Sequence, residues 1–451
     1  MSFGRGYLIN RDYARLWTGQ AASTVGDYVF DTTLTLWVAT EIAKGKSWAP
    51  AAVSGVLLSV GAAVLLVGPL AGVFVDRWSH RRIMLHSELV RAGLVAVLFL
   101  LALIPVHDLP AGAWLVCIYV IVFGLNTAAQ FFSPARFATI GAIVPGEADR
   151  ARAAGIGQAT TGAASILGPP IAAPLLFTVG VQWAMLINLI SYLCSYLAIR
   201  SVNFPEAEDT AKPSAETAVG SAGGRLRQEF VSGLRYFAGS RLLVTLLTAA
   251  VITQIGTGAL NTLNVFFTTR NLGGTAGQYG FVSMAFGAGA IIGSLLAGRV
   301  VGLIGARTAT WGGLMLTGVL VFAYSRQSVF VVGVVMLLLV AVPVATLNTA
   351  MTPLLLEATP PEYLGRVVAV FNPVNELASM VSAALAGWLA GSALGAFHGS
   401  FAGLKFGPID TIFAISGLMI VLAGCYAVAA LPRDRAAAPS VAVEAGAEAG
   451  S

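Results

Sequence analysis

From Ser54 to Val75 the chain runs without a charged side chain, and the stretch GVFVDRWSHRR, Gly72 to Arg82, then places one acid and four basic side chains in immediate succession. After it, Ile83 to Val106 carries only His86, Glu88 and Arg91. A helix of about 20 apolar residues crosses the roughly 30 Å of a bilayer core. Two such runs joined by a short charged turn read as a hairpin between membrane spans, with its charges held at one face of the bilayer.

The rest of the chain fits that solvent. Hydrophobic residues make up 57% of it and charged residues 10%, with a mean hydropathy of +0.81, whereas soluble domains carry about 25% charged residues. An integral membrane protein follows. Its 51 glycines would be costly in a soluble helical protein but let helices approach closely in lipid. The net charge of +5 sits in short basic clusters between apolar runs, not in a stripe, so no nucleic-acid partner is expected. Cys117, Cys194 and Cys425 all fall in apolar runs and imply no disulfide framework. The opening MSFGRGYLINRDYARLW is too polar for a cleaved leader, so the first span is expected to persist in the mature protein.

Apolar runs long enough to span begin near Leu16, Ala51, Ile83, Gly112, Gly155, Val181, Leu242, Gln278, Thr308, Val329, Val367 and Ile409. Twelve spans put both termini on one side. Twenty Lys and Arg residues fall on that side and five on the other; the positive-inside rule then predicts cytoplasmic termini in a bacterial-type inner membrane. The predicted architecture is all-α. Residues 1–200 form one six-helix bundle, 241–435 a second, pseudo-symmetric one, and 436–451 a disordered tail. Between the bundles, 201–240 is expected to be a cytoplasmic linker in which Leu226, Phe230, Leu234 and Phe237 recur at helical spacing, as an interfacial helix would have them. The halves also echo each other: Asn126-Thr127-Ala128 precedes Val144-Pro145-Gly146-Glu147, and Asn348-Thr349-Ala350 precedes Thr359-Pro360-Pro361-Glu362.

Two six-span halves, a long central linker and the Gly, Asp-Arg and basic cluster of GVFVDRWSHRR together resemble the major facilitator superfamily over nearly the whole chain. NRDYARLW with Ser23-Thr24-Val25-Gly26-Asp27, and FFSPARFATIGAIVP from Phe131 to Pro145, are similar to the subgroup of enterobactin exporters and macrolide-efflux proteins. The resemblance implies that Gly72, Asp76, Arg77, Arg81 and Arg82 form a gate, in which Asp76 caps a helix of the opposite half and the arginines bind carbonyls or acids. It also implies that Gly168, Pro169 and Pro170 form the exporter motif of span five, although Ala172 and Ala173 stand where the family has glycines. Span four has no charge between Val116 and Gln130, so the buried arginine of many proton antiporters in the superfamily has no counterpart there.

Five ionisable residues lie within spans: Asp27, Asp31, Glu88, Arg91 and Glu376. Each costs roughly 2.5–3.5 kcal/mol at a helix centre on insertion scales, so each is expected to face a cavity or a partner. Asp27 and Asp31 are one turn apart on one helix face, where two anions in low dielectric strain against each other; one is expected to hold a proton. Glu88 and Arg91, three apart, are expected to pair. Glu376, beside Asn372 and Asn375, is expected to face a central cavity and attract cationic cargo. Trp37, Phe123, Phe131, Phe266, Phe267 and Phe371 are candidates to line that cavity, with packing the more ordinary role for aromatics at such positions.

No P-loop is present, because the glycine required upstream of Gly45-Lys46-Ser47 is replaced by Thr40. No cofactor is expected. The sequence therefore points to a monomeric secondary transporter in the lipid bilayer, exchanging protons for a small amphipathic drug, antibiotic or siderophore by alternating access. A lipid flippase or uniporter of the same fold is the alternative. A magnesium-dependent intramembrane enzyme, suggested by the Asp-x-x-x-Asp spelling of Asp27 to Asp31, is a remote one.

Overall fold

In the computed structural model, which describes residues 9–75, 78–203, 234–394, 399–401 and 404–431, twelve long helices follow one another. They are α1 Arg11–Trp37, α2 Ala49–Val75, α3 His80–Leu101, α4 Ala111–Ile143, α5 Glu147–Pro174, α6 Val181–Arg200, α7 Arg241–Arg270, α8 Tyr279–Ile304, α9 Ala306–Ser325, α10 Phe330–Glu357, α11 Pro361–Trp388 and α12 Pro408–Ala430. Ten are long and apolar enough to cross a membrane. The two outside that set, α1 and α11, are those that carry Asp27 with Asp31, and Glu376 with Asn372 and Asn375.

Local chemistry sets the helix ends. The side chain of Asn10 accepts from the Tyr13 N–H at 2.7 Å while its own amide donates to the Ile143 carbonyl at 2.7 Å, so one residue caps α1 and ties it to the end of α4. A single residue, Gly305, joins α8 to α9; its φ of +79° is a left-handed conformation that glycine adopts without strain.

The pairing of helices repeats after six elements. In the first half α1 packs on α5 and α6, α2 on α4, and α3 on α4 and α6; in the second half α7 packs on α11 and α12, α8 on α10, and α9 on α10 and α12. The contacts between halves obey the same shift, α2 against α11 and α5 against α8. A π-helical turn follows α5 at Leu175–Val179 and the equivalent α11 at Leu389–Ala393. Small residues make the approaches possible. A Cβ on Gly293 would lie 2.5 Å from the Val342 carbonyl oxygen, and one on Gly289 would overlap the Leu338 carbonyl, so both glycines serve α8–α10 packing.

We call the side where α1 starts and α2 turns into α3 the hairpin face. Among the described residues, close inter-half contacts lie from the middle of the helices toward the other side. Ser54 donates to the Ala383 carbonyl at 2.7 Å; Gly387 and Gly391 meet Pro50 and Ser47, and Gly280 and Gly287 meet Pro169 and Ser165. The two halves are therefore pinned together at the far face, and a chamber between them opens toward the hairpin face.

Three boundaries differ from the sequence reading. Helices α1, α5 and α11 start five to eight residues earlier than the apolar runs suggest, because polar amphipathic turns extend them beyond the hydrophobic stretch. A two-stranded antiparallel hairpin, Gly399–Phe401 with Leu404–Phe406, precedes α12. Of the expected linker, residues 201–203 fold back on α1, where Arg15 donates to the Ser201 carbonyl at 2.7 Å. Residues 234–239 are helical, with Phe237 buried beside Leu243 and Val367; Leu226 and Phe230 lie outside the described residues, as does the tail 436–451.

Candidate functional site

In the first half, side chains of four helices meet in a polar network inside an otherwise apolar bundle. Arg91 of α3 donates through Nη2 to Asp27 Oδ2 of α1 at 2.9 Å and stands 3.8 Å from Glu88 Oε2 through Nη1. Tyr192 of α6 donates its hydroxyl to Asp27 Oδ1, and its ring centroid lies 4.2 Å from the guanidinium carbon of Arg91. Glu88, completely buried, accepts at Oε1 from Ser195 at 2.6 Å and from Gln20 at 3.4 Å. Gln20 also donates to Ser195 at 2.8 Å, and at 3.5 Å it accepts from Arg136 of α4. Two carboxylates and two guanidinium groups formally balance, which is what a low-dielectric interior requires of buried charge.

Glu88 and Arg91, expected to pair, form an ion pair, and Arg91 has a second partner in Asp27 that spacing does not show. Arg91 engages Asp27 more closely than its own-helix neighbour Glu88, whose Oε2 accepts no hydrogen bond among the described residues. Asp27 and Asp31 differ in their partners: Asp27 is countered by Arg91, whereas the Asp31 side chain is exposed and has no hydrogen-bond or ion-pair partner among the described residues. Arg136, one of the twenty basic residues that the sequence assigns to the side of the termini, instead sits half-buried on α4 against Gln20. Sequence reasoning passed over Gln20, Tyr192 and Ser195. Their only signal is a polar atom in an apolar helix, and their partners lie 68 to 175 residues away.

The second half holds the chamber wall. A cavity of about 550 Å³ lies between α7, α10 and α11 and is lined by Thr253, Gln254, Asn348, Asn372, Asn375 and Glu376, with Phe371 and Met351 among its apolar contacts. Glu376 is the one acid on this wall, and its Oε1 also reaches α2 at Gly61. A second cavity of about 830 Å³ lies between α5, α8 and α10 and shares Asn348 and Thr352 with the first. Of the aromatic candidates only Phe371 lines either cavity: Trp37 packs edge-on to Trp114, and Phe267 against Tyr324 and Phe413, in the core.

The profile of the Major Facilitator Superfamily matches residues 16–267 and 246–450. The chain belongs to that superfamily. Among its relatives are YkuC of Bacillus subtilis, an uncharacterised transporter of the superfamily, 24% identical with 96% of each chain aligned. Macrolide efflux protein A of Streptococcus pyogenes is 24% identical, with 80% of this chain and 85% of the relative aligned, which bears out the macrolide-efflux-like subgroup. The fold is that of a bacterial homologue of the iron transporter ferroportin, solved in its inward-facing state, with a TM-score of 0.72 at 12% identity over 93% of this chain and 98% of that one.

The superfamily residues of the loop and of span five fall as follows. Gly72 lies in the last turn of α2, and Asp76 and Arg77 lie outside the described residues. Arg81 donates to the Arg200 carbonyl at the end of α6, a carbonyl of its own half, at 3.2 Å; Arg82 is exposed. Gly168 lets α5 press on the backbone of Tyr28 and Val29 in α1, while Pro169 and Pro170 present theirs to Gly280 of α8. The helix continues through all three of these residues to Pro174. The motif thus sits where both halves are pinned at the far face.

Proposed function

We propose that the protein exports a small amphipathic compound, a drug, antibiotic or siderophore, in exchange for protons, as a monomer in a bacterial-type plasma membrane with the hairpin face toward the cytoplasm. The observation that carries this reading is the chamber. It is sealed at the far face, open at the hairpin face, and walled by carboxamides and hydroxyls around one carboxylate, Glu376. Such a wall suits a molecule with hydrogen-bonding groups and a positive charge, and the similarity to macrolide efflux protein A of Streptococcus pyogenes supports the outward direction. Residues 1–200 and 241–435 are the two bodies that rock about the chamber, joined by 201–240. Asp31 is the proton carrier, because it is exposed on α1 with no hydrogen-bond or ion-pair partner among the described residues, while Arg91 holds Asp27 and Glu88 as a fixed scaffold. Gly72, Asp76, Arg77, Arg81 and Arg82 gate the hairpin face.

The energy suffices. One net charge crossing 100 mV yields about 2.3 kcal/mol, and each tenfold of gradient takes about 1.4 kcal/mol, so one proton per cycle sustains about a fortyfold gradient of an uncharged cargo, and a monocationic cargo needs a second proton for the same gradient. The test is uptake into everted membrane vesicles of a macrolide, a cationic dye and a catecholate siderophore, with and without a proton uncoupler, comparing the wild type with Asp31→Asn. Uncoupler-sensitive accumulation that Asp31→Asn abolishes is expected. Accumulation indifferent to the uncoupler would refute proton coupling and leave the uniporter or flippase.

A further inference from the structure

Helices α5 and α8 run antiparallel, and one face of each can be followed from the far side to the hairpin face. On α8 that face carries Gly280, Gly287, Ile291, Ser294 and Gly298; on α5 it carries Pro169, Ser165, Gly162, Gln158 and Gly155. The first three pairs touch: Gly280 meets Pro169, Gly287 meets Ser165, and a Cβ on Gly162 would lie 2.8 Å from Ile291 Cδ1. At the next turn contact is lost. A Cβ on Gly298 or on Gly155 would meet nothing within 4 Å, and between Gln158 and Ser294 lies the cavity of about 830 Å³ that joins the inner chamber at Asn348 and Thr352.

Depth and surroundings identify what fits this gap. Gly298 is six residues from the end of α8, about 9 Å along the axis, and next to Arg299, which puts it at the hydrocarbon–headgroup boundary of the leaflet at the hairpin face. Leu295 and Leu303, 76% and 84% exposed, flank it on the outer side of α8. The walls offer Gln158, Ser294, Thr349 and Thr352 beside Phe286 and Leu356. A polar solute in water gains nothing from such a mouth; a molecule with an apolar body and a few hydrogen-bonding groups is matched at both ends.

We infer that the gap between α5 and α8 is a side entrance, through which an amphiphile dissolved in the leaflet at the hairpin face reaches the chamber without passing through water. The inference rests on the exporter reading for its cargo, but not for its test. The full chain is reconstituted into phosphatidylcholine vesicles containing a phosphatidylcholine with a diazirine on one acyl chain, illuminated, and mapped by tandem mass spectrometry. That lipid cannot leave the bilayer, so adducts report where hydrocarbon reaches. Adducts are expected on Leu295 and Leu303, and also on Thr349, inside the gap. Gly298→Trp is expected to abolish the Thr349 adducts while leaving those on Leu295 and Leu303, which also reports correct folding; Ser294→Trp repeats the test one turn away, and Gly298→Ala is expected to behave as wild type. Adducts confined to the outer leucines in the wild type, or Thr349 adducts that survive both tryptophan variants, would overturn the side entrance whatever the vesicle assay says of export.

Discussion

Replacing Arg91 by methionine keeps the bulk of the side chain and removes its charge, leaving Glu88 and Asp27 facing each other across the space between α3 and α1. The two arms differ in weight. Glu88 is completely buried and its Oε2 has the Arg91 guanidinium 3.8 Å away, an attraction of about 4 kcal/mol at an effective dielectric of about 20. The Asp27 contact is shorter, 2.9 Å, but its side chain is 32% exposed, so solvent screening reduces this arm to about 1–2 kcal/mol. Removing one partner of a buried pair costs about 3–5 kcal/mol, and Arg91→Met is expected within that range. The double variant Arg91→Met/Glu88→Gln removes the stranded charge and is expected to regain about 2 kcal/mol, a non-additivity that marks a direct interaction. The assay is detergent-solubilised unfolding followed by a thiol-reactive fluorophore at the half-buried Cys117, with the exposed Cys194 and Cys425 changed to serine. If the double variant is no more stable than Arg91→Met alone, the assignment of Arg91 as counter-charge to Glu88 is wrong.

Other outcomes follow from single contacts. Tyr192→Phe keeps the ring under Arg91 and loses the hydroxyl to Asp27, which is expected to lower stability by about 1 kcal/mol in the same thiol assay. Gly280→Leu forces a side chain into the backbone of Pro169 and Pro170; overpacking costs about 1–3 kcal/mol, and because it acts only where the halves are pinned, it is expected to reduce labelling of a cysteine placed at Thr253 from the hairpin face. Unchanged labelling would count against the far-face seal. Glu376→Gln is expected to raise KM for a monocationic cargo about tenfold, or about 1.4 kcal/mol, and to leave an uncharged macrolactone unaffected; equal changes for both would remove Glu376 as a charge selector.

Sequence alone located every span to within about two turns, because twelve hydrophobic stretches separated by basic clusters are a one-dimensional signal. It also singled out each of the five ionisable residues within spans as needing a cavity or a partner. What it missed was partner choice. The spacing of Glu88 and Arg91 is local and legible, but Asp27 lies 64 positions away on a helix that only the packing of α1 and α3 on α6 brings near. Arg136 escaped for a related reason: the apolar run of α4 ends before it, while the helix continues to Ile143. Glu376 was the easier case, since a lone acid among asparagines has no intrahelical partner and is left facing open space.

The charged network belongs to α1, α3, α4 and α6, whereas the smaller cavity is walled by α7, α10 and α11 alone. On the proposed reading, with Asp31 of α1 as proton carrier and Glu376 of α11 as charge selector, selectivity and power supply occupy different halves of one polypeptide. Grafting residues 241–435 of a relative with another diet onto residues 1–200 of this chain should change what is carried without disturbing what drives it.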